Sequence, residues 1–380
     1  MTTPQENQVK ERYASAAQQL EPALCCPVDY DPQLLKAIPP EVIERDYGCG
    51  DPSRYLQEGE RVLDLGSGTG KVCFMASQVV GPKGKVIGVD MTDDMLEVAR
   101  RNAPLVAQNI GYSNVEFKKG RIQDLSLDLE LWDRHLASHP IESSEAYLKA
   151  IEQADRLRRE SPLVPSESVD VVISNCVLNL VESDEKKKLF TELFRVIRSG
   201  GRAVISDIVS DEVVPASMQA DSELWSGCIS GALSEQAFLA AFEEVGFYGI
   251  RLVKRDPRPW RVVEGIEFRS ITVEAFKGDQ GPCLERHQAA IYRGPFRSVT
   301  DDDGNTYYRG QAMAICDRTY QRLGQEPYAT SFETLQPAKS IAVEDAVAFD
   351  CSTLPIRSPE QLKGSCAALD STEESGSCCC

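Results

Sequence analysis

Thirteen cysteines are scattered through the 380 residues, at 25, 26, 49, 73, 176, 228, 283, 316, 351, 366 and 378–380. Thiolates are soft ligands and strong nucleophiles, so the chemistry of this chain starts with them. No CxxC pair occurs and only three histidines are present, which leaves zinc-ribbon, Cys/His zinc and thioredoxin-type sites poorly supported. Working thiols must therefore converge in space from distant parts of the chain. Cys176 closes the apolar run VDVVISNC beside the polar Asn175, where a buried strand ends. Cys49 in RDYGCGDP and Cys228 in LWSGCISG are flanked by Gly or Ser, in loop-like contexts where plain core packing is a weak explanation. Cys73 sits on the apolar face of a helical stretch and reads as core, as does Cys316 further on. Cys283 and Cys351 fall in or near linkers and carry no assignment.

The elements that must position these thiols alternate regularly. RVLDLG (61–66) reads as a short buried strand, GSGTGK as a turn and KVCFMASQVV as a helix. KVIGVD (85–90) is a second strand ending in Asp90. Thr92 is placed to cap the next helix, with Asp93 and Asp94 in its first turn. Pro104 is expected to kink or split that helix. NVEFKKG (114–120) is a third strand and VDVVISN (169–175) a fourth; the charged, helical segment 126–166 between them is an insertion. A helix with Ser183 as its N-cap, the strand RAVISDIV and the helix SEQAFLAAFEEVGF follow. IRLVKR and FRSITVEAF close the sheet as an antiparallel pair. The rhythm predicts a doubly wound α/β sheet. In such a sheet a glycine turn between strand and helix admits a ligand to the backbone. An acid at the end of the next strand accepts hydrogen bonds from both ribose hydroxyls. The pattern is that of a site for a dinucleotide or for S-adenosylmethionine.

The order Asp-x-Gly-x-Gly-x-Gly in DLGSGTG, with RSGGRAVISD before the fifth strand, resembles the class I S-adenosylmethionine-dependent methyltransferases, which have a Rossmann-like fold. That resemblance implies that Asp64, Gly66, Gly68 and Gly70 line the methionine end of the cofactor. It implies that Asp90 and Met91 hold ribose and adenine, that Ile122 and Gln123 border the adenine, and that Asn175 faces the methyl-transfer region. CCPVDYDP (25–32), RDYGCGDP (45–52), ISNCVLNL (173–180), LWSGCISGALSE (224–235) and ERHQAAIYRGPFRSVTDDDGNTYYRGQAMAICDRTYQRL together resemble the arsenite methyltransferases over nearly the whole chain. The implied arsenic ligands are Cys49, Cys176 and Cys228. Cys25 or Cys26 is implied as the redox partner, reset by thioredoxin or glutathione, and the substrate is arsenite or its glutathione conjugate. Such chemistry suits the residues independently of the name. Trivalent arsenic is soft, and its lone pair attacks a methyl without a general base. Three departures stand out. Trp225-Ser226-Gly227-Cys228 replaces the family's frequent Trp-Gly-Glu-Cys, Leu178 stands where some members have a further cysteine, and the N-terminal cysteine is doubled.

The net charge of −18 argues against nucleic acid and anionic membrane faces as partners. No apolar run approaches the ~20 residues of a membrane span, and the polar N-terminus lacks a signal-peptide core, which predicts a cytoplasmic protein. Four parts are expected: an N-terminal cap segment (1–60), a methyltransferase domain (61–280) with its arsenic-binding region at 176–235, a small C-terminal domain (281–350) and a disordered cysteine-containing tail (351–380). Two other functions fit parts of the pattern. One is an O- or C-methyltransferase with incidental thiols, which needs a base near the methyl. The other is an arsenic-sequestering protein, which leaves the cofactor motif idle.

Overall fold

A computed structural model describes residues 4–19, 21, 28–45, 47–278 and 281–362. The chain forms two compact units, Met1–Lys277 and Gly278–Cys380. In the first, α1 (Pro4–Gln18), α2 (Pro32–Leu35) and α3 (Pro40–Glu44) precede β1 (Arg61–Leu65). Then come α4 (Lys71–Val80), β2 (Lys85–Asp90), α5 (Asp93–Ile110), β3 (Val115–Lys119), α6 (Leu129–Ser138), α7 (Ser144–Glu160) and β4 (Val169–Asn175). The unit ends with α8 (Lys186–Val196), β5 (Ile197–Ser210), α9 (Ala216–Gln219), α10 (Ser222–Ser226), α11 (Glu235–Glu243), β6 (Tyr248–Arg255), β7 (Arg261–Val263) and β8 (Ile266–Phe276).

These strands make one sheet in the order β3-β2-β1-β4-β5-β8-β6, with β7 alongside β8. The five strands from β3 to β5 are parallel, and β8 runs antiparallel between β5 and β6. The sheet is buried on both faces, which is why its central strands are almost unbroken runs of Val, Ile and Leu. One face packs Leu189, Phe190 and Leu193 of α8 and Phe238 and Phe242 of α11 against Leu63, Val172 and Ile205. The other packs Phe74 and Met75 of α4 and Leu96 and Val98 of α5 against Val62, Val171 and Val204. The expected α/β sheet with a Rossmann-like parallel centre and an antiparallel closing pair is therefore present.

Three local expectations change. α5 runs from Asp93 to Ile110 through Pro104 without splitting, because Val98, Ala99 and Val106 anchor both sides of the proline in the core. α8 starts at Lys186 with Glu185 as N-cap, not at Ser183. Residues 182–185 form a separate turn, in which the Glu185 N–H donates to the Glu182 carbonyl at 3.0 Å. Thr92 does occupy the N-cap of α5, but its side chain makes no capping bond. Its backbone N–H instead donates to Asp90 Oδ1 at 2.8 Å.

The second unit holds β9 (Leu284–Glu285), β10 (Ala289–Tyr292), β11 (Ser298–Thr300), β12 (Thr306–Tyr308), β13 (Ala312–Ala314), α12 (Asp317–Leu323), β14 (Phe332–Leu335), β15 (Val347–Ala348) and α13 (Pro359–Leu362). β13-β10-β14 form a small sheet, β11 and β12 a hairpin, and β9 pairs with β15. Its core gathers Tyr292, Tyr307, Met313, Ile315, Leu323 and Phe332. No described helix of the chain is long and apolar enough to cross a membrane.

Candidate functional site

A cleft of ≈ 950 Å³ opens at the C-terminal ends of β1, β2 and β4, where ligands bind in open α/β sheets. Asp64, Gly66, Gly68, Asp90, Met91, Ile122, Gln123, Asn175 and Cys176 all line it. Gly70 does not line it but shapes it. It is the N-cap of α4 at φ 90°, and a Cβ there would lie 2.7 Å from the Phe117 ring. Gly68, at φ 51°, has open space where a Cβ would point. The Asp90 carboxylate accepts from the Gly68 N–H at 2.9 Å through Oδ2. Burial pushes the Asp90 carboxyl up, and the N–H groups of Thr92 and Gly68 oppose that push. Ser67, also in the cleft wall, has a buried hydroxyl with no hydrogen-bond partner among the described residues. An open glycine turn, an acid at the next strand end and an orphaned hydroxyl fit the amino-acid and ribose parts of S-adenosylmethionine.

The thiols gather beyond the end of β4. Cys49, Cys176 and Cys228 are buried in one cluster with Ile208, Ile229 and Phe268. The ligand atoms of Cys49, Cys176 and Asp207 all lie within 4.8 Å of one another. The Cys228 thiol donates to the Cys176 carbonyl at 3.3 Å. Cys176 and Cys228 have φ of 64° and 60°, a left-handed conformation that an L side chain resists. Cys49 is placed by its neighbours. Asn175 Oδ1 accepts from the N–H groups of Cys49 and Gly50, each at 2.9 Å, and Asn175 Nδ2 donates to the Gly50 carbonyl at 2.9 Å. The loop lies so close that a Cβ on Gly48 would fall 2.0 Å from Asn175 Nδ2. The Asn175 amide is thus engaged in holding the Cys49 loop at the cleft wall.

A buried polar scaffold braces the other two thiols. Asn179 Nδ2 donates to the carbonyls of Ile208 (2.6 Å) and Cys228 (3.3 Å), and Trp225 Nε1 donates to Leu180 O at 3.2 Å. Asp207, at the C-terminal half of β5, accepts from the Leu178 and Ile208 N–H groups, both at 2.8 Å. Burial lifts its carboxyl to about 6. Lys186 is buried too; its ammonium donates to Leu178 O at 2.6 Å, and burial lowers its pKa to about 8. Cys73 is core as expected, fully buried and donating to Asp64 Oδ2 at 3.1 Å. Cys25 and Cys26 lie outside the described residues.

Sequence reasoning missed Asp207 and the whole of α1. Glu6, Val9 and Tyr13 of α1 line the cleft. Glu6 Oε1 accepts from Arg121 Nη2 at 2.5 Å and Gln123 Nε2 at 2.9 Å. Arg12 Nη1 donates to Ser226 Oγ at 2.7 Å, and the Tyr13 hydroxyl lies 3.8 Å from Cys228 Sγ. Burial and the neighbouring thiols Cys228 and Cys176 drive the Tyr13 phenol well above its ordinary pKa, so it stays neutral. The signal for α1 is present in Val9, Tyr13, Ala16 and Ala17, one apolar face at helical spacing.

The sheet order, the glycine turn and the acid ending β2 define a class I S-adenosylmethionine-dependent methyltransferase. A methyltransferase-domain family model matches residues 56–161 and 141–246, and a domain of unknown function matches 279–367. Arsenite methyltransferase from Aquipseudomonas alcaligenes is 31% identical over 330 residues, covering 83% of this chain and 85% of that one. The Mus musculus arsenite methyltransferase is 31% identical, covering 80% and 74%. The crystal structure of an arsenic(III) S-adenosylmethionine methyltransferase from Chlamydomonas reinhardtii matches with a TM-score of 0.54 at 28% identity, over 85% of this chain and 100% of that one. The chain belongs to the arsenite methyltransferase family.

Proposed function

We propose that this protein transfers methyl groups from S-adenosylmethionine to trivalent arsenic held by Cys49, Cys176 and Cys228. The observation that carries this is the convergence of three buried thiols, from three separate loops, in one cluster whose Cys176 lines the cofactor cleft. S-adenosylmethionine supplies an electrophilic methyl. The protein's task is to present arsenic's lone pair to it at the ~3–3.5 Å of a near-attack geometry. Three thiolates do this by occupying arsenic's bonding positions and leaving the lone pair free. Asn175 and the Asp207 scaffold fix where two of those thiolates stand. Methyl transfer consumes the lone pair. Two electrons then return from a thiol pair that closes to a disulfide, for which Cys25 or Cys26 is the candidate donor. Thioredoxin or glutathione reopens that bond.

Methylation of oxygen or carbon is less well supported. Among the described residues no histidine lines the cleft to act as base. The test is to incubate the full-length protein with labelled S-adenosylmethionine, arsenite and glutathione, and to separate the arsenic species by chromatography. Methylated arsenic is expected from the natural protein and none from Cys49→Ser, Cys176→Ser or Cys228→Ser. Full activity in Cys176→Ser overturns the assignment. Arsenic bound without methylation would select sequestration.

A further inference from the structure

The described residues of the Gly278–Cys380 unit include three cysteines that this reaction does not use. Cys283 leads into β9, Cys316 is the N-cap of α12, and Cys351 lies just past β15. Their sulfur atoms all lie within 4.8 Å of one another, and all three are free thiols. The surrounding structure fixes the segments that bear them. β9 pairs with β15, Leu284 opposite Ala348 and Glu285 opposite Val347. The Phe349 N–H donates to the Cys283 carbonyl at 2.9 Å. Arg286 Nη1 pairs with Asp317 Oδ1 at 2.7 Å, which ties the β9 segment to the start of α12 beside Cys316. Cys316 Sγ accepts from the Thr319 N–H at 3.4 Å and lies 3.2 Å from the Thr319 hydroxyl. Burial pushes the Cys316 thiol up, but these donors and its two thiol neighbours bring it below its ordinary pKa. Cys316 is buried, whereas Cys283 and Cys351 are partly exposed, so the cluster is open to solvent on one side.

We propose that Cys283, Cys316 and Cys351 form a second trithiolate site that binds one trivalent arsenic. The choice of arsenic among soft ions rests on the function proposed above; the clustered thiols alone specify a soft ion. Three sulfurs and a lone pair complete the shell of trivalent arsenic. A structural zinc takes four ligands, and no fourth His, Cys, Asp or Glu among the described residues joins this group. A metal–sulfur bond of about 2.3 Å in a tetrahedral thiolate spaces its sulfurs about 3.8 Å apart, so the observed cluster needs only slight contraction to close on an ion of that size. Binding is an exchange with no change of oxidation state. Three As–O bonds of arsenous acid break, three As–S bonds form, and the three thiol protons leave with the hydroxyls as water. The described thiols of the methyltransferase unit, Cys49, Cys73, Cys176 and Cys228, are buried, while this cluster loads directly from solution.

The test is arsenite-dependent protection from alkylation in the full-length reduced protein, read cysteine by cysteine by mass spectrometry after N-ethylmaleimide treatment. Cys283, Cys316 and Cys351 are expected to become protected together, at one arsenite concentration. Cys351→Ser is expected to weaken protection of Cys283 and Cys316 at least tenfold while leaving methylation at saturating arsenite unchanged. Because the readout is labelling of these residues, it stands even if the buried thiols fail to support methylation. Unchanged labelling with arsenite overturns the proposal. So does a bound zinc ion that arsenite does not displace, or independent titration of the three cysteines.

Discussion

Cys176 and Cys228 hold a left-handed backbone conformation that costs about 1–2 kcal/mol per L residue, and glycine would hold it freely. Side chains retained against that cost are retained for what their sulfurs do, and both residues belong to the buried cluster that holds Cys49. Cys73, in regular helix and fully buried, carries no such strain and has the ordinary role of a small apolar residue. Backbone strain sets Cys176 and Cys228 apart from Cys73, which burial does not, and Cys49 is placed instead by the hydrogen bonds of Asn175 to its loop. Asp90 is the corresponding residue on the cofactor side. Its carboxylate already orders the turn through Gly68 and Thr92. Asp90→Ala should weaken S-adenosylmethionine binding by roughly 2–3 kcal/mol, the scale of hydrogen bonds to a charged acceptor. Calorimetry should show that loss with arsenic binding unchanged; an unaltered cofactor affinity would exclude the ribose contact.

α1 is where the element scale matters most. Its polar face and short apolar stripe do not build the sheet, yet it covers the cleft and reaches the thiol loops through Arg12 and Tyr13. Glu6 fastens it by accepting from both Arg121 and Gln123 in a buried setting. Glu6→Ala leaves the buried Gln123 amide and the half-buried Arg121 guanidinium without that acceptor, a loss on the order of 1–3 kcal/mol in docking of the helix. The expected result is several-fold faster release of S-adenosylmethionine and earlier proteolytic cutting within residues 4–18, with the thermal midpoint little changed. Release at the natural rate would remove α1 from cofactor retention. The same helix shows what the sequence displayed and what it hid. Strands β1, β2 and β4 were legible because two-sided burial writes them as apolar runs, and the glycine turn because a strand, a helix and an acid frame it. α1 was not, because a helix that packs on a ligand cleft needs only one narrow apolar stripe. Asp207 was hidden for another reason. A carboxylate within a strand becomes visible as a site residue only when the fold brings β5 beside the Cys49 and Cys176 loops. The cysteines of the second unit had no spacing to announce them, since each comes from a different segment.

At the scale of the whole molecule, thiols are distributed between the methyltransferase unit and the second unit, whose last residues, SCAALDSTEESGSCCC, lie outside the described residues. Three cysteines in succession in the sequence need a reason. Vicinal thiols that hold trivalent arsenic raise its effective concentration for the rest of the same chain. The acidic surroundings of those thiols do not oppose this, because arsenous acid is neutral at pH 7. The net charge of −18 therefore leaves arsenic uptake untouched, though it would repel an anionic substrate. Capture and catalysis make different demands on concentration. A capture device matters only while arsenic is scarce, whereas a catalytic or folding role persists at saturation. Deleting residues 366–380 should thus leave the methylation rate unchanged at saturating arsenite and lower it at limiting arsenite. The comparison is a pair of rate-against-arsenite curves for the full-length and shortened proteins, with Cys283, Cys316 and Cys351 intact in both. Superimposable curves would show that these terminal thiols take no part in supplying the substrate.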